Sequence, residues 1–292
     1  MFTFNNSFMI PVNYSFAFFG LFFASIFDLK TREIPDWLNY SLIAVGFSSA
    51  LISSVKYSDY GFLLRSLAGF LLFFAIAMLL YKTGQWGGGD AKTLMALGAL
   101  IGLDFNKGVP ILLLLIFNIF IVGAVYGFFW SGFLVFKNWI KFKKAFRTIL
   151  LSKNVIRIRK IVIVAVLFFL AISFFIPFPF KVLMFTFAAM IFFLFYFFIY
   201  SKAIETSAMI KSVSVNKLTP GDWIVDEIVI KGKKVCDSKE GVSKEQIAEL
   251  LKLKKAHKIS KIRIKEGIPF MPSFFIAFII TLLFNNWLVL FV

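Results

Sequence analysis

The chain has 292 residues, of which 60% are hydrophobic and only 16% are charged. About a quarter of the residues in an ordinary soluble domain are charged, so this composition excludes a soluble enzyme, a disordered regulator and a disulfide-stapled secreted module. It predicts a chain that lies mostly in lipid. The net charge of +17 is explained by cytoplasmic loops that collect Lys and Arg, and we expect no nucleic-acid partner.

Eight apolar segments approach the length of about 20 residues that a helix needs to cross the hydrocarbon layer. Two prolines and a lysine within residues 177–181 predict a sharp turn between the sixth and the seventh segment. The sequence therefore predicts an all-α polytopic membrane protein with about six to eight transmembrane helices. The segments are residues 12–27, 37–55, 62–81, 93–105, 109–136, 161–176, 182–200 and 268–291.

Positive charges predict how these helices are oriented. Residues 137–160 contain nine Lys and Arg residues and no acid, and short loops of this kind lie on the cytoplasmic side. Counting helices outward from this segment places residues 28–36 and 84–92 on the same side and both termini outside. We therefore expect a multi-pass protein of the cytoplasmic membrane.

Residues 202–266 differ in kind, because they contain 15 Lys and Arg residues and 9 acids. Isoleucines alternate with charges at 261–265, as in a half-buried strand, and Ser243 with Gln246 predicts a capping box at the start of a helix over 244–257. Strands on either side of Gly232 predict a hairpin. We expect a small cytoplasmic α+β domain over 202–267, a helix bundle over 1–201 and a final transmembrane helix over 268–292.

Carboxylates are few outside that domain, so their positions are informative. Asp90 directly follows three glycines, which are poor helix formers, and a loosened backbone survives at membrane depth only where it lines a polar cavity or packs against protein. The position of Asp90 therefore indicates a site. Asp28 ends the first apolar segment, where it fits a topological stop signal equally well. The six carboxylates are Asp28, Glu33, Asp36, Asp59, Asp90 and Asp104.

If the chain hydrolyses peptide bonds, most catalytic devices are excluded. The one histidine, His257, lies at the end of a predicted soluble helix, which argues against a Ser–His pair and rules out a His-Glu-x-x-His zinc site. The one cysteine, Cys236, lies in a basic hairpin without a partner imidazole. A pair of aspartates remains. Two close carboxyl groups cannot both ionise, so one activates water while the other donates a proton.

The segments around these aspartates resemble a known family. Residues 28–37 read Asp-Leu-Lys-Thr-Arg-Glu-Ile-Pro-Asp-Trp, and residues 87–92 read Gly-Gly-Gly-Asp-Ala-Lys. In order, spacing and expected sidedness they resemble the type IV prepilin peptidases, which are GxGD-type aspartyl membrane proteases, and above all the archaeal preflagellin (prearchaellin) and prepilin peptidases. Residues 266–274, before the last apolar segment, resemble the same family.

The resemblance implies a catalytic helix bundle with Asp28 and Asp90 as the catalytic pair near the cytoplasmic face. Asp36 matches the family motif, and Pro35 before it also predicts a helix that begins at Asp36. Glu33 would hold a cationic part of the substrate or pair with a neighbouring base. Lys30 and Lys92 would stabilise a nearby carboxylate or, as we expect, snorkel to headgroups. The supporting residues are thus Gly87, Gly88, Gly89, Asp36, Glu33, Lys92 and Lys30.

The substrate implied by the resemblance is a pilin-like or archaellin precursor, with a short basic leader followed by an apolar helix. We expect peptidase activity only, because the chain lacks the paired cysteine motifs of bacterial relatives that also methylate their products. No cofactor or metal is expected. Membrane lipid is the other expected partner, and the sequence leaves the oligomeric state open.

Another class of protein fits some of the same features. A proton- or cation-coupled transporter also has broken, glycine-rich helices and membrane carboxylates, and Asp28 and Asp90 would relay charge in it. Against this alternative, both aspartates are expected at one face and not at the midplane, and no inverted repeat is visible. A scaffold protein whose basic segment 137–160 binds anionic lipid is a third possibility.

Overall fold

The structure is a computed structural model, and it describes residues 9–105, 108–226, 228–230, 233–236, 241–256 and 259–284. The chain divides into two compact units, Met1–Phe129 with Gly267–Val292, and Trp130–Glu266. The helices are α1 (Met9–Thr31), α2 (Asp36–Tyr57), α3 (Gly61–Lys82), α4 (Gly88–Ile101), α5 (Ile111–Lys137), α6 (Trp139–Leu150), α7 (Lys153–Phe175), α8 (Phe180–Ile204), α9 (Lys244–Lys255) and α10 (Met271–Leu283). The strands are β1 (Ile210–Ser214), β2 (Trp223–Ile224), β3 (Ile228–Ile230), β4 (Lys233–Cys236) and β5 (Lys261–Lys265).

Within these described residues, six helices are long and apolar enough to cross a membrane. They overlap six of the eight predicted segments, which confirms the polytopic fold class. The fourth and eighth predicted segments correspond to shorter helices, α4 with 14 residues and α10 with 13. The six candidate spans are Val12–Thr31, Asp36–Tyr57, Gly61–Lys82, Ile111–Lys137, Lys153–Phe175 and Phe180–Met209.

Helix α4 begins five residues before the predicted start at 93 and includes part of the glycine stretch. Asp90 lies in its first turn, and its Oδ2 accepts a hydrogen bond from the Gly87 N–H at 3.2 Å. An acidic side chain in the first turn satisfies a free backbone donor and interacts favourably with the positive end of the helix dipole. These contacts allow a glycine-rich sequence to start a helix here.

Glycines let α4 approach its neighbours closely enough to bury most of its surface. A Cβ on Gly98 of α4 would stand 2.5 Å from the carbonyl oxygen of Gly69 on α3. A Cβ on Gly46 of α2 would stand 2.7 Å from the backbone carbon of Ala99. Close backbone approach through small residues is how helices associate in lipid, where no hydrophobic driving force exists between them. Helix α4 therefore lies between α2 and α3.

Helix α10 completes the first unit. The side-chain amide of Asn118 on α5 donates a hydrogen bond to Thr281 Oγ1 at 2.9 Å, and both residues are buried. One end of α10 contacts α5 as well, because the Phe270 ring lies against Gly123, where any Cβ would clash with it. Two contacts along α10 thus hold it against α5.

The second unit contains the predicted proline turn and one unexpected helix. Helices α7 and α8 pack together and are joined at residues 176–179, as predicted. The basic segment 137–160, treated as a loop in the sequence, forms α6 and the start of α7. Phe142 of α6 is buried against the end of α8, where its ring meets that of Tyr200 at 5.7 Å.

The rest of the second unit is a small α+β part, as expected. Strands β1, β5 and β2 form an antiparallel sheet with β5 in the centre, and β3 pairs with β4 as the predicted hairpin. Ser243 and Gln246 form the predicted capping box at the start of α9. The Asp226 carboxylate accepts two hydrogen bonds from the Arg263 guanidinium, which lower its pKa. His257 and Gly232 lie outside the described residues.

The glycine contact of α4 yields a test of the packing. Gly98→Ala places a methyl group against the Gly69 carbonyl oxygen, and overpacking of this kind costs about 1–3 kcal/mol. We expect a lower midpoint of thermal unfolding in detergent micelles. Gly127→Ala is the matched control, because no described atom outside its own stretch of helix lies within 4 Å of its Cβ position and alanine favours the helix. Equal midpoints for the two variants would contradict the packing of α3 on α4.

Candidate active site

Asp28 lies on α1, three residues before its end, and is only 7% exposed. Its Oδ2 accepts a hydrogen bond from the Met271 N–H at 2.9 Å. Met271 is the first residue of α10, so the carboxylate meets a helix N-terminus, where backbone donors and the helix dipole favour negative charge. A buried carboxylate needs such a partner. The hydrogen bond therefore fixes both the Asp28 side chain and the start of α10.

The turn after α1 leads the chain to the glycine stretch. Arg32 adopts a left-handed backbone conformation, with φ at 62°, and this ends the helix. The next residues place Ile34 directly against Gly89, where a Cβ would stand 3.1 Å from the Ile34 side chain. Pro35 then precedes α2, which begins at Asp36 as predicted. The turn between α1 and α2 therefore packs on the backbone immediately before Asp90.

Aromatic residues hold the other side of the glycine stretch. The Trp86 ring packs against those of Phe274 and Phe270 at centroid distances of 5.1 and 5.8 Å, and against that of Phe120 at 6.0 Å. Trp86 directly precedes Gly87, and its partners belong to α5 and to the beginning of α10. The backbone that carries Asp90 is thus anchored on both sides.

Two fully buried polar side chains link α2 to α4 beside Asp90. Thr93 Oγ1 donates to Asn39 Oδ1 at 2.8 Å and is also within 3.0 Å of the Gly89 carbonyl oxygen. Asn39 Nδ2 approaches the same carbonyl oxygen at 3.5 Å. The pair fixes the residue that precedes Asp90. Sequence reasoning missed Asn39 and Thr93, although a polar residue within an apolar segment is itself a signal.

The structure brings Asp28 and Asp90 together. Helices α1 and α4 are in contact, and the two carboxyl groups are close enough for a direct electrostatic interaction. Asp28 also interacts electrostatically with Arg32, which follows α1, and with Tyr126 of α5. Asp28 is buried and Asp90 is half-buried. The arrangement is a pair of carboxyl groups with a cation and a phenol beside it.

Of the other predicted site residues, Lys92 and Asp36 form a pair, whereas Lys30 and Glu33 are exposed. The Lys92 ammonium bonds to Asp36 Oδ1 and lies 5.5 Å from the centre of the Tyr40 ring. Its snorkelling to headgroups stays a prediction. Lys30 and Glu33 are exposed near the end of α1. In the part of the chain that the structure describes, no group of three or more His, Cys, Asp or Glu side chains is placed to hold a metal ion.

Comparison with known proteins agrees with the motifs. Residues 15–128 match the model of the type IV leader peptidase family. This stretch of the chain is similar to that family. It contains both aspartates, the turn between α1 and α2, and the glycine stretch.

Three preflagellin peptidases are similar to a shorter stretch of the chain. Those of Methanococcus maripaludis and Methanocaldococcus jannaschii are each 37% identical over 90 residues, and that of Methanococcus voltae is 33% identical over 90 residues. The similar stretch covers 31% of this chain and 38–39% of each relative. The similarity therefore covers less than half of this chain and less than half of each relative.

The hydrogen bond between Thr93 and Asn39 can be tested by removing one hydroxyl. Thr93→Val leaves the Asn39 oxygen without this donor, and an unsatisfied buried polar group costs about 1–3 kcal/mol. We expect a lower unfolding midpoint in detergent micelles. Thr186→Val is the matched control, because among the described residues its exposed hydroxyl bonds only to the Val182 carbonyl of its own helix. A control that loses as much stability as Thr93→Val would argue against a special role for the buried pair.

Proposed function

We propose that this protein is a membrane aspartyl endopeptidase that removes the short basic leader from type IV pilin-like or archaellin precursors. One observation carries the proposal: Asp28 and Asp90 are 62 residues apart in the sequence, yet α1 contacts α4 and the turn that follows Asp28 packs on the backbone that precedes Asp90. The names of the relatives, all preflagellin peptidases, support this choice of reaction and substrate.

The pair acts on a water molecule between the two carboxyl groups. The ionised partner accepts a proton from the water, and the resulting nucleophile attacks the scissile carbonyl carbon. The protonated partner donates its proton to the developing oxyanion, and a proton later goes to the leaving amine. The two groups titrate as a pair, so the roles of acid and base belong to the pair and not to one residue.

Anchoring of both aspartates supports this mechanism. The Met271 N–H holds Asp28, and the contacts of Ile34, Trp86 and Thr93 hold the backbone before Asp90. Catalytic groups that are fixed before the substrate arrives need little rearrangement in the transition state. Gly87, Gly88 and Gly89 support the site by allowing neighbouring chains, and an extended substrate, to approach Asp90.

The proposed substrate places its apolar helix in the membrane and its basic leader at the cytoplasmic face. The exposed carboxylate of Glu33 lies on the turn between α1 and α2, and that of Asp36, which also bonds to Lys92, lies at the start of α2. Both attract a basic leader. They act against a net charge of +17, which repels it. The repulsion is screened beyond a Debye length of about 8 Å at physiological salt, so acids next to the site determine the local attraction.

Cleavage assays test the catalytic pair. Purified full-length protein in detergent or liposomes is incubated with leader-bearing pilin-like peptides, and the cleaved product is measured. Asp28→Asn and Asp90→Asn each remove an ionisable group from the pair, and we expect each to lower kcat by at least about 10²–10⁴-fold without loss of the fold.

Asp59→Asn is the matched control for these two variants. Its carboxylate accepts a hydrogen bond from the Gly61 N–H at the start of α3, and an amide oxygen accepts the same bond, so we expect activity to be retained. Full cleavage by either Asp28→Asn or Asp90→Asn, or proton-coupled uptake in place of cleavage, would overturn the proposal.

The cytoplasmic position of the site is tested by thiol labelling. Single cysteines are introduced as Ser152→Cys, between α6 and α7, and as Tyr60→Cys, between α2 and α3, in a Cys236→Ser background. Both positions are exposed. Positive charges around Ser152 predict that a membrane-impermeant reagent labels the Ser152→Cys variant only in inverted vesicles, and that it labels the Tyr60→Cys variant in intact cells. The reverse pattern would place the site on the opposite side.

A further inference from the structure

We infer that α6 is a binding site for anionic phospholipid headgroups of the membrane that α5 and α7 cross. The proposal rests on the two faces of α6, on its position between two candidate spans and on its uncompensated positive charge. It does not depend on the proposed peptidase activity, because none of its residues belongs to the aspartate site.

The two faces of α6 have different surroundings. Phe142, Phe146 and Ile149 belong to one face, and they pack with the end of α8 in a common apolar cluster. The opposite face carries Lys143, Lys144 and Arg147, which are exposed. One side of the helix is therefore fixed to the protein, while the cationic side is presented to the surroundings.

Large apolar side chains lie among those cations. Trp139 is 55% exposed, Ile140 84% and Leu151 57%. Exposed apolar groups of this size are unfavourable in water, whereas at a membrane surface they enter the boundary between headgroups and acyl chains, and tryptophan is enriched at this depth. Together with Lys143, Lys144, Arg147 and Thr148 they line one open depression along α6.

Helix connections hold α6 at the membrane surface. Only Asn138 separates α5 from α6, and only Leu151 and Ser152 separate α6 from α7. Both flanking helices are long and apolar enough to span the bilayer. Helix α6 therefore begins and ends where two spans leave the hydrocarbon layer, which is the depth of the phosphate groups.

The positive charge of this segment has no counterpart within it. Residues 137–160 contain nine Lys and Arg residues and no acid, and none of the cations of α6 forms an ion pair with any residue that the structure describes. By contrast, Lys202, Lys211 and Arg263 each contact a carboxylate. Phosphodiester headgroups with a net negative charge supply the missing counterions, and zwitterionic headgroups do not.

Lipid retention tests the site on the full chain. Purified protein in neutral detergent is incubated with phosphatidylglycerol or with phosphatidylcholine, and the retained lipid is counted by native mass spectrometry. Each cation near an anionic surface contributes roughly a fivefold factor to binding, so we expect at least about a tenfold preference for phosphatidylglycerol. The triple variant Lys143→Gln, Lys144→Gln, Arg147→Gln should reduce the preference to about twofold or less.

A matched control removes the same charge elsewhere. Lys244→Gln, Lys252→Gln and Lys255→Gln lie on exposed positions of α9, and this triple variant should keep the full preference. Equal retention of both lipids by the wild-type chain would overturn the proposal, as would an equal loss in the α9 control. Displacement of the lipid by millimolar inorganic phosphate would also overturn it, because the site would then bind free phosphate and not a headgroup at the membrane surface.

Discussion

The site depends on one hydrogen bond between the first and the last described helix of the first unit. The Met271 N–H at the start of α10 donates to Asp28 Oδ2. A buried carboxylate without such a donor is costly, and a helix that begins within a membrane bundle needs an acceptor for its free N–H groups. Each partner satisfies the other, so the position of Asp28 and the start of α10 are determined together.

Two helices of the first unit, α4 and α10, are shorter than the candidate spans. A helix of 14 residues extends about 21 Å, less than the hydrocarbon layer of about 30 Å, so α4 is too short to cross that layer. It contacts α1 as well as α2 and α3. Close contacts at glycines pack α4 against α2 and α3, so much of its surface faces protein and not lipid. The same shortness makes the start of α4 difficult to locate in a hydropathy profile, and the predicted segment 93–105 begins five residues after the helix does.

Much of the architecture was predictable because it depends on local sequence. Apolar run length located the six long helices, the prolines near 177–179 located the turn between α7 and α8, and alternation located β5. Helix α6 was not predicted, because its high density of charge is typical of a loop, although its apolar residues recur with the helical period. The domain boundaries inferred from the sequence stay predictions.

Within the candidate site, the sequence motifs predicted individual residues but not the contacts that hold them. The motifs singled out Asp28 and Asp90, whereas the pairs of Asn39 with Thr93 and of Asp36 with Lys92 join residues more than fifty positions apart. Such pairs depend on the rotation of each helix about its axis and on the packing between helices. Neither quantity follows from the composition of a single segment.

The distance in sequence between Asp28 and Met271 has a consequence for biosynthesis. The ribosome translates Asp28 before Met271, with the whole second unit in between. During translation the buried carboxylate therefore has no α10 to bind, and the arrangement around it is finished only when the last described helix has been inserted. A nascent chain that stalls within the α+β part carries both aspartates but not the backbone donor that orients one of them.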